Sequence, residues 1–240
     1  VVLYLSVIVL LPIAALANQA FSEGIAHFWS QVTSSAALSS LELILVCSLI
    51  VVAVNAVFGT IVAWLLVRDN FPGKSIINAI IDLSFALPTI VASLILIQLW
   101  GTKSPVGIDI ALTRVAIVVA LCFVTLPFVV RAVQPLLIEM DRDMEEAATS
   151  LGAGGATVFR RIIFPNLLPG LAAGVALAFA RALGEYGSVL LFAGGRPDTQ
   201  VASIFIGQQI ETGNEVGASA VSIVLLAMAL VCLLVITLIQ

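Results

Sequence analysis

Long apolar segments, separated by shorter polar ones, dominate this chain of 240 residues. A helix needs about 20 mostly apolar residues to cross the hydrocarbon core of a bilayer. Segments of about this length lie at about Val1–Ala17, Leu38–Val67, Ile80–Trp100, Arg114–Val133, Pro169–Phe192 and Gly217–Ile239. The sequence therefore predicts an all-α polytopic membrane protein with six transmembrane helices.

Composition supports a membrane protein. Hydrophobic residues make up 61% of the chain, charged residues make up 10%, and the mean hydropathy is +1.20. A soluble domain is closer to roughly half apolar and a quarter charged. The formal net charge of -4 speaks against a nucleic-acid partner. In a membrane chain, however, the placement of Lys and Arg is more informative than their sum.

The first apolar segment has an alternative interpretation as a secretory signal peptide. Ala15, Leu16 and Ala17 resemble a signal-peptidase site, but no basic stretch precedes the apolar residues. The missing basic stretch favours a spanning helix.

The distribution of positive charge predicts the orientation in the membrane. The loops that follow the second and fourth predicted spans carry most of it, at Arg68, Lys74, Arg131, Arg142, Arg160 and Arg161. The loops of the opposite side carry fewer such residues, at Lys103, Arg114 and Arg196. Because positive charge favours the cytoplasmic side, we expect both termini and the loop between spans four and five to be cytoplasmic.

No enzymatic signature is recognised in the sequence. Residues Pro72-Gly73-Lys74-Ser75 end like a phosphate-binding loop, but Arg68 stands where that loop needs a glycine. A turn built by Pro72 and Gly73 is the better interpretation. Motifs of the HExxH and GxSxG types are missing as well. The chain is therefore predicted not to be an enzyme.

A metal site is not predicted either. Each cysteine lies in an apolar segment, without a Cys or His at ligand spacing: Cys47, Cys122 and Cys232. Small buried side chains explain these residues better than a metal or a disulfide.

The polar segment EEAATSLGAGGATVFRRIIFP, from Glu145 to Pro165, differs from the apolar segments on either side. Asp143 is placed as a helix N-cap, with Glu146 three residues later as in a capping box. Gly152 is placed to end the helix in a left-handed conformation. These residues predict a short helix over Met144–Leu151.

One face of this short helix is apolar and flat. Its members follow helical spacing at Met144, Ala147, Ala148 and Leu151. A helix of about two turns is marginal alone in water, which favours docking against another protein over a passive solvated loop. A second helix is predicted over about Gly155–Phe164, ending at Pro165. Its apolar stripe is formed by Phe159, Ile162 and Ile163. The two helices form a hairpin over residues of about 139–168, and we refer to this segment as the hairpin.

Prolines and small residues predict details of the spans. Pro88 and Pro127 each remove a backbone hydrogen bond, so we expect kinks or unwound turns there, either as packing features or as parts of a gate. A stripe of small residues recurs every four positions and predicts close approach of another helix, at Gly170, Gly174, Ala178 and Ala182.

The hairpin resembles a known signature. Glu146-Ala147-Ala148, Gly152, Ile162 and Phe164-Pro165 are similar in identity and spacing to the EAA signature of ATP-binding-cassette importer permeases, except that Phe164 stands where leucine is usual. The resemblance implies that the hairpin lies in a groove of a cytoplasmic ATPase subunit. The implied ATPase-coupling residues are Glu145, Glu146, Ala147, Ala148, Leu151 and Gly152.

Further stretches resemble the T-type subunit of sulfate/thiosulfate permeases, within the sulfate/molybdate permease family. They cover essentially the whole chain and include Asn55–Gly59, Phe71–Lys74, Phe85–Thr89, Thr125–Arg131 and Phe179–Ser188. Molybdate permeases tend to have phenylalanine and alanine where Tyr186 and Ser188 stand, and a molybdate permease stays an alternative.

The resemblance implies a type I importer permease fold and a single permease domain over residues 1–240. The implied partners are a second homologous permease, two ATPase subunits that bind ATP and Mg, an extracytoplasmic sulfate-binding protein and membrane lipid. No cofactor is expected in this subunit, and the location that the resemblance implies is the bacterial cytoplasmic (inner) membrane. An ion-coupled secondary anion transporter is the alternative from another class.

Two charges in the fifth predicted span have two interpretations. Arg181 and Glu185 are four residues apart, and a charge at mid-membrane costs at least about 2.5 to 3.5 kcal/mol unless it faces protein or water. The pair could lock the helix bundle. Alternatively, Arg181 could provide positive potential beside a path for a dianion, with Glu185 limiting how tightly the anion is held.

Overall fold

The computed structural model describes residues 2–239, so Val1 and Gln240, at the two ends of the predicted domain, lie outside the described residues. Residues 2–239 contain no β-strand, and the prediction of an all-α protein is confirmed. Two π-helical turns, Ser6–Leu10 and Phe159–Ile163, join α1 to α2 and α9 to α10. The α-helices are α1 Val2–Leu5, α2 Leu11–Ala20, α3 Ile25–Val32, α4 Ser35–Arg68, α5 Lys74–Ala86, α6 Thr89–Trp100, α7 Arg114–Glu139, α8 Asp143–Ser150, α9 Gly155–Val158, α10 Phe164–Leu183, α11 Gly187–Ala193, α12 Ala202–Glu211 and α13 Glu215–Ile239.

The predicted count of six spanning helices is not confirmed. Within residues 2–239, four helices are long and apolar enough to cross a membrane: α4, α7, the continuous helix Gly155–Leu183, and α13. A fifth span arises if Ser6–Ala20 and Ile25–Val32, which meet at 93°, are counted together. The third predicted span is interrupted, which accounts for the difference between five and six.

That interruption lies at Pro88. Helix α5 ends at Ala86, and Leu87 has extended backbone angles of φ -72° and ψ 128°. A residue that precedes proline is disfavoured in the helical conformation, and Pro88 itself has no N–H to donate. Helix α6 then begins at Thr89 and has 12 residues, too few to cross a bilayer alone.

The fifth predicted span, Pro169–Phe192, is wrong at both ends. Helix α10 begins earlier, at Phe164, and it ends at Leu183. Residues 184–186 leave the helix before α11 begins at Gly187. The Glu185 carboxylate accepts a hydrogen bond of 2.8 Å from the backbone N–H of Ser188, so a side chain satisfies a donor that the start of a helix would leave unpaired.

The chain divides into two compact units. The first comprises residues 2–48, 88–121 and 182–231. Its largest fully buried side chains include Ile44, Ile117, Leu121, Phe192 and Ile204. Gln19 Nε2 donates to Glu215 Oε2 at 2.7 Å, which joins two distant parts of the chain within this unit. That one permease domain covers the whole chain stays a prediction.

Helices α6 and α11 pack closely within the first unit. A Cβ atom added to Gly187 would clash with Thr89 Oγ1 and lie 3.0 Å from the backbone nitrogen of Ile90. The Ser93 hydroxyl lies 2.7 Å from the carbonyl oxygen of Gly187 and 2.6 Å from that of Ser188. Glycine at position 187 therefore lets the two helices that follow the interruptions begin side by side.

The second unit comprises residues 49–87, 122–181 and 232–239. In it, Asn55 Nδ2 of α4 donates to Thr125 Oγ1 at 2.9 Å, and Asn55 is buried. Such hydrogen bonds between helices stabilise membrane bundles by roughly 0.6 kcal/mol on average.

A hydrogen-bonded cluster of polar side chains connects α5 to α7 in the second unit. Arg131 donates from Nε and Nη2 to Asp82 Oδ1, at 2.9 and 2.6 Å, and from Nη1 to Asn78 Oδ1 at 3.2 Å. Phe85 and Phe128 meet edge to face, with centroids 5.1 Å apart. Helix α7 continues without interruption through Pro127, so no unwound turn forms there.

The small-residue stripe of α10 packs against α7, as predicted. A Cβ atom on Gly174 would lie 2.9 Å from Ala132 Cβ and 3.0 Å from Val129 Cα. Ala178, on the same stripe, is fully buried. Backbone atoms line this contact, so the neighbouring helix cannot simply rotate a side chain away.

We predict that Gly174→Leu destabilises the protein by about 1–3 kcal/mol, because the larger side chain must push α10 from α7. The measurement is the thermal unfolding midpoint of the purified membrane complex. Gly184→Ala is the matched control, since a Cβ atom there meets nothing within 4 Å. An unchanged midpoint for Gly174→Leu would contradict the observed packing.

Candidate functional site

The first arm of the hairpin is α8, and its N-terminus differs from the prediction. Asp143 is the first residue of the helix and not its N-cap. The N-cap position is Arg142, and Asp141 satisfies one backbone donor at this end, because its Oδ1 accepts a hydrogen bond of 3.0 Å from the backbone N–H of Asp143. Glu146 N–H bonds to the Arg142 carbonyl, so the predicted capping box is wrong. An aspartate two residues before a free N–H can satisfy it locally, and Asp141 was overlooked for that role.

The C-terminus of α8 ends as the sequence predicted. Gly152 has a left-handed backbone with φ +89°. The N–H of Gly152 bonds to the Thr149 carbonyl at 2.9 Å, and the N–H of Ala153 bonds to the Ala148 carbonyl at 3.0 Å. These two bonds form a Schellman motif, which satisfies carbonyl groups that the helix end leaves open. The helix itself stops at Ser150, one residue earlier than predicted.

The predicted apolar face of α8 is left uncovered by the chain. Leu151 is 89% exposed and Met144 is 45% exposed. Ala147 is exposed and Ala148 is half-buried. Contiguous exposed apolar side chains are a common feature of contact surfaces. We refer to Met144, Ala147, Ala148 and Leu151 as the open face.

The two adjacent glutamates of the hairpin have different surroundings. Glu145 Oε1 forms an ion pair with Arg68 Nη2 of α4, and the two side chains are 21% and 9% exposed. Glu146 is exposed. Both glutamates line a surface groove together with Thr149 and Ser150.

The ion-pair partner of Glu145 belongs to a pair of residues whose role the sequence analysis missed. Arg68 lies over the ring of Trp64, with its Cζ atom 5.4 Å from the ring centroid. The second arm of the hairpin is α9 with the π-helical turn that follows it. The Trp64 ring meets Phe159 of this arm edge to face, at a centroid distance of 6.1 Å. The available signal was the spacing of Trp64 and Arg68 by one helical turn at the end of an apolar span.

The second arm does not end at Pro165, and that prediction is wrong. Helix α9 passes through the π-helical turn Phe159–Ile163 directly into α10. The wider turn accommodates the missing N–H of the proline without ending the helix. Asn166 Nδ2 also donates to the Ile162 carbonyl at 2.7 Å. Of the predicted apolar stripe, Ile163 is buried.

The two charges of the fifth predicted span lie in different local structures. Arg181 is half-buried in α10, whereas Glu185 lies beyond the end of that helix and is 1% exposed. The helical spacing that the sequence assigned to them is therefore not present. The Ser203 hydroxyl donates to the backbone carbonyl of Glu185 at 2.6 Å, which adds to the hydrogen bond from Ser188 N–H. The pairing of Arg181 with Glu185 stays a prediction.

A metal centre finds no support in the part of the chain that the structure describes. There, no three His, Cys, Asp or Glu side chains come together as a metal site requires. Pro72 and Gly73 form the expected turn, with Gly73 in a left-handed conformation of φ +89° at the start of α5.

Comparison with known proteins gives a consistent assignment. The family described as "Binding-protein-dependent transport system inner membrane component" matches residues 55–240. A "Probable sulfate transport system permease protein cysT" from Chlorokybus atmophyticus is 44% identical over 245 residues, covering 99% of this chain and 86% of that protein. The "Sulfate transport system permease protein CysT" of Escherichia coli is 38% identical, covering 96% of this chain and 86% of that protein.

Solved structures support the fold. A bacterial ABC transporter involved in the import of the acidic polysaccharide alginate is similar, with a TM-score of 0.80 at 16% identity, over 99% of this chain and 91% of that chain. The MetNI methionine ABC transporter gives a TM-score of 0.67 at 22% identity, over 84% of this chain and 93% of that chain. The resemblance drawn from the hairpin signature is confirmed: the chain belongs to the family of binding-protein-dependent transport system inner membrane components, the permeases of ATP-binding-cassette importers.

Proposed function

We propose that this chain is a transmembrane permease subunit of an ATP-driven importer for sulfate or thiosulfate. The open face of α8 carries this proposal, because a short capped helix presents apolar side chains that the chain itself does not cover. Relatives at 38–44% identity that are named sulfate permeases support the anion class. The subunit works by alternating access and performs no chemistry of its own.

The hairpin is the contact for the ATPase subunits in this proposal. Its open face and the exposed Glu146 are available to a groove on a partner, and Gly152 fixes where the helix ends. Two ATPase subunits bind ATP and Mg and draw the hairpins of two permeases together. Both termini of the chain and the hairpin then lie on the cytoplasmic side of the bacterial inner membrane, in agreement with the positive charges nearby.

A second, homologous permease completes the pathway. Helix α5 supports this assignment, since an apolar stripe at helical spacing is exposed on one of its faces: Ile76 63%, Ile80 57% and Leu83 49%. An exposed apolar stripe of this kind is covered by another protein surface or by lipid in the assembled membrane protein. An extracytoplasmic binding protein delivers the anion to the opposite side.

Inside the membrane, the buried Glu185 favours the structural interpretation of the charged residues. Its carboxylate already caps the first turn of α11. Pro88 is the better placed of the two gate candidates, because the helix is interrupted there and continuous at Pro127. Non-helical backbone at membrane depth is tolerated where it packs against protein or lines a cavity.

We expect ATP hydrolysis by the purified complex to rise when sulfate-loaded binding protein is added, with uptake of labelled sulfate into vesicles. A partner can shift an equilibrium between two conformations only by its differential affinity for them, so coupling requires this stimulation. Unlabelled molybdate is the competitor that separates a sulfate from a molybdate permease. Uptake without any ATPase subunit, driven by an ion gradient, would instead support a secondary transporter.

Gly152→Val should release the ATPase subunits and abolish uptake, because a β-branched residue is strained at φ +89°. Gly152→Asn is the matched control, since asparagine tolerates the left-handed conformation. Neither side chain meets other atoms of this chain at the Cβ position. Co-purification of the ATPase and sulfate uptake are the measurements. Full retention of both in Gly152→Val would show that the end of α8 is unimportant for docking.

A further inference from the structure

Two side chains at the end of α4 contact both arms of the hairpin. Arg68, the last residue of this helix of 34 residues, forms the ion pair with Glu145 of the first arm. Trp64, one helical turn earlier, meets Phe159 of the second arm with ring planes at 69°. The end of one apolar helix therefore holds the hairpin at two points.

The ion pair is shielded from solvent on the side of Arg68. The Arg68 side chain is 9% exposed, and its guanidinium lies over the Trp64 ring. Arg68 Nε is buried without a hydrogen-bond partner. The positive charge therefore depends on Glu145 and Trp64, and loss of Glu145 would leave it poorly compensated.

The acidic residues of α8 differ in whether they are exposed or paired with another side chain of the chain. Glu146 and Asp143 are exposed, whereas Glu145 is directed to Arg68. The resemblance had assigned both glutamates to the ATPase contact. In the structure the two glutamates differ, because Glu146 is exposed to a partner and Glu145 is bound within the chain.

We propose that Arg68 and Glu145 are positioning residues that pass displacement of the hairpin into α4, with the Trp64–Phe159 contact holding the second arm. This inference rests on the proposed function, because it assumes that the hairpin is moved by an ATPase. The second arm continues directly into α10, whereas the first arm is separated from α7 by the non-helical residues 140–142, which would absorb such a displacement. The ion pair fixes the first arm to the end of the spanning helix α4, which transmits the displacement.

The test uses the complete complex in vesicles with its binding protein. Arg68→Gln, Glu145→Gln and the double variant are compared for ATPase co-purification, stimulated ATP hydrolysis and sulfate uptake. We expect each single variant to retain the ATPase subunits and their hydrolysis but to import at least about fivefold less sulfate per ATP. The double variant should lose no more than the worse single variant, because residues that act through each other are not additive.

Asp143→Asn is the matched control, since it removes an exposed carboxylate from the same turn of α8 and should leave the ratio of sulfate to ATP unchanged. If a glutamine variant fails to assemble, Arg68→Lys and Glu145→Asp retain the charges with altered reach. Assembled complexes of these variants should also show a lowered ratio, and an unchanged ratio would overturn the inference.

Other outcomes separate the inference from the function on which it rests. Release of the ATPase by Glu145→Gln but not by Arg68→Gln would assign Glu145 to direct docking and overturn the inference alone. An unchanged ratio in both glutamine variants would reduce the ion pair to a structural contact. Failure of the wild-type complex to couple hydrolysis to uptake would instead overturn the proposed function.

Discussion

The fold depends on one constraint, which is that backbone N–H and C=O groups in hydrocarbon must find partners within the protein. Long continuous helices satisfy it along α4, α7, α10 and α13. Where a helix is interrupted, side-chain hydrogen bonds and close packing replace the missing helical contacts. Glu185 bonds to Ser188 N–H at one interruption, and the helix after Pro88 packs against Gly187. The interruptions thus lie against protein, where irregular backbone is tolerated.

The hairpin is stabilised differently from the spanning helices, because its first helix, α8, is short and partly exposed. A helix of 8 residues gains little from its own hydrogen bonds, so its ends are fixed by Asp141 and Gly152. Its attachment to α4 through Arg68 leaves Met144, Ala147 and Leu151 exposed. A rigid, uncovered face of this kind is suited to docking with a partner, and the permeases to which this chain is related belong to binding-protein-dependent transporters.

Sequence alone predicted features that depend on local chemistry. Gly152 in the left-handed conformation, the turn at Pro72 and Gly73, and the packing of Gly174 follow from glycine, proline and helical spacing. Predictions from sequence were wrong where the structure depends on the surroundings of a residue and not only on its type. The helix is interrupted at Pro88 but continues through Pro127 and Pro165. At Pro165, the preceding π-helical turn Phe159–Ile163 accommodates the missing N–H. The bond from Arg68 to Glu145 joins residues 77 positions apart, which no periodicity reveals.

The central claim is that the open face of α8 docks on an ATPase subunit. The most direct measurement places a photoreactive amino acid, p-benzoylphenylalanine, at Leu151, which is 89% exposed, and identifies what it crosslinks in the assembled complex. Val57, 58% exposed in the middle of the apolar helix α4, is the matched position. We predict a crosslink to the ATPase from position 151 and none from position 57. An assembled, active complex without the crosslink from position 151 would contradict it.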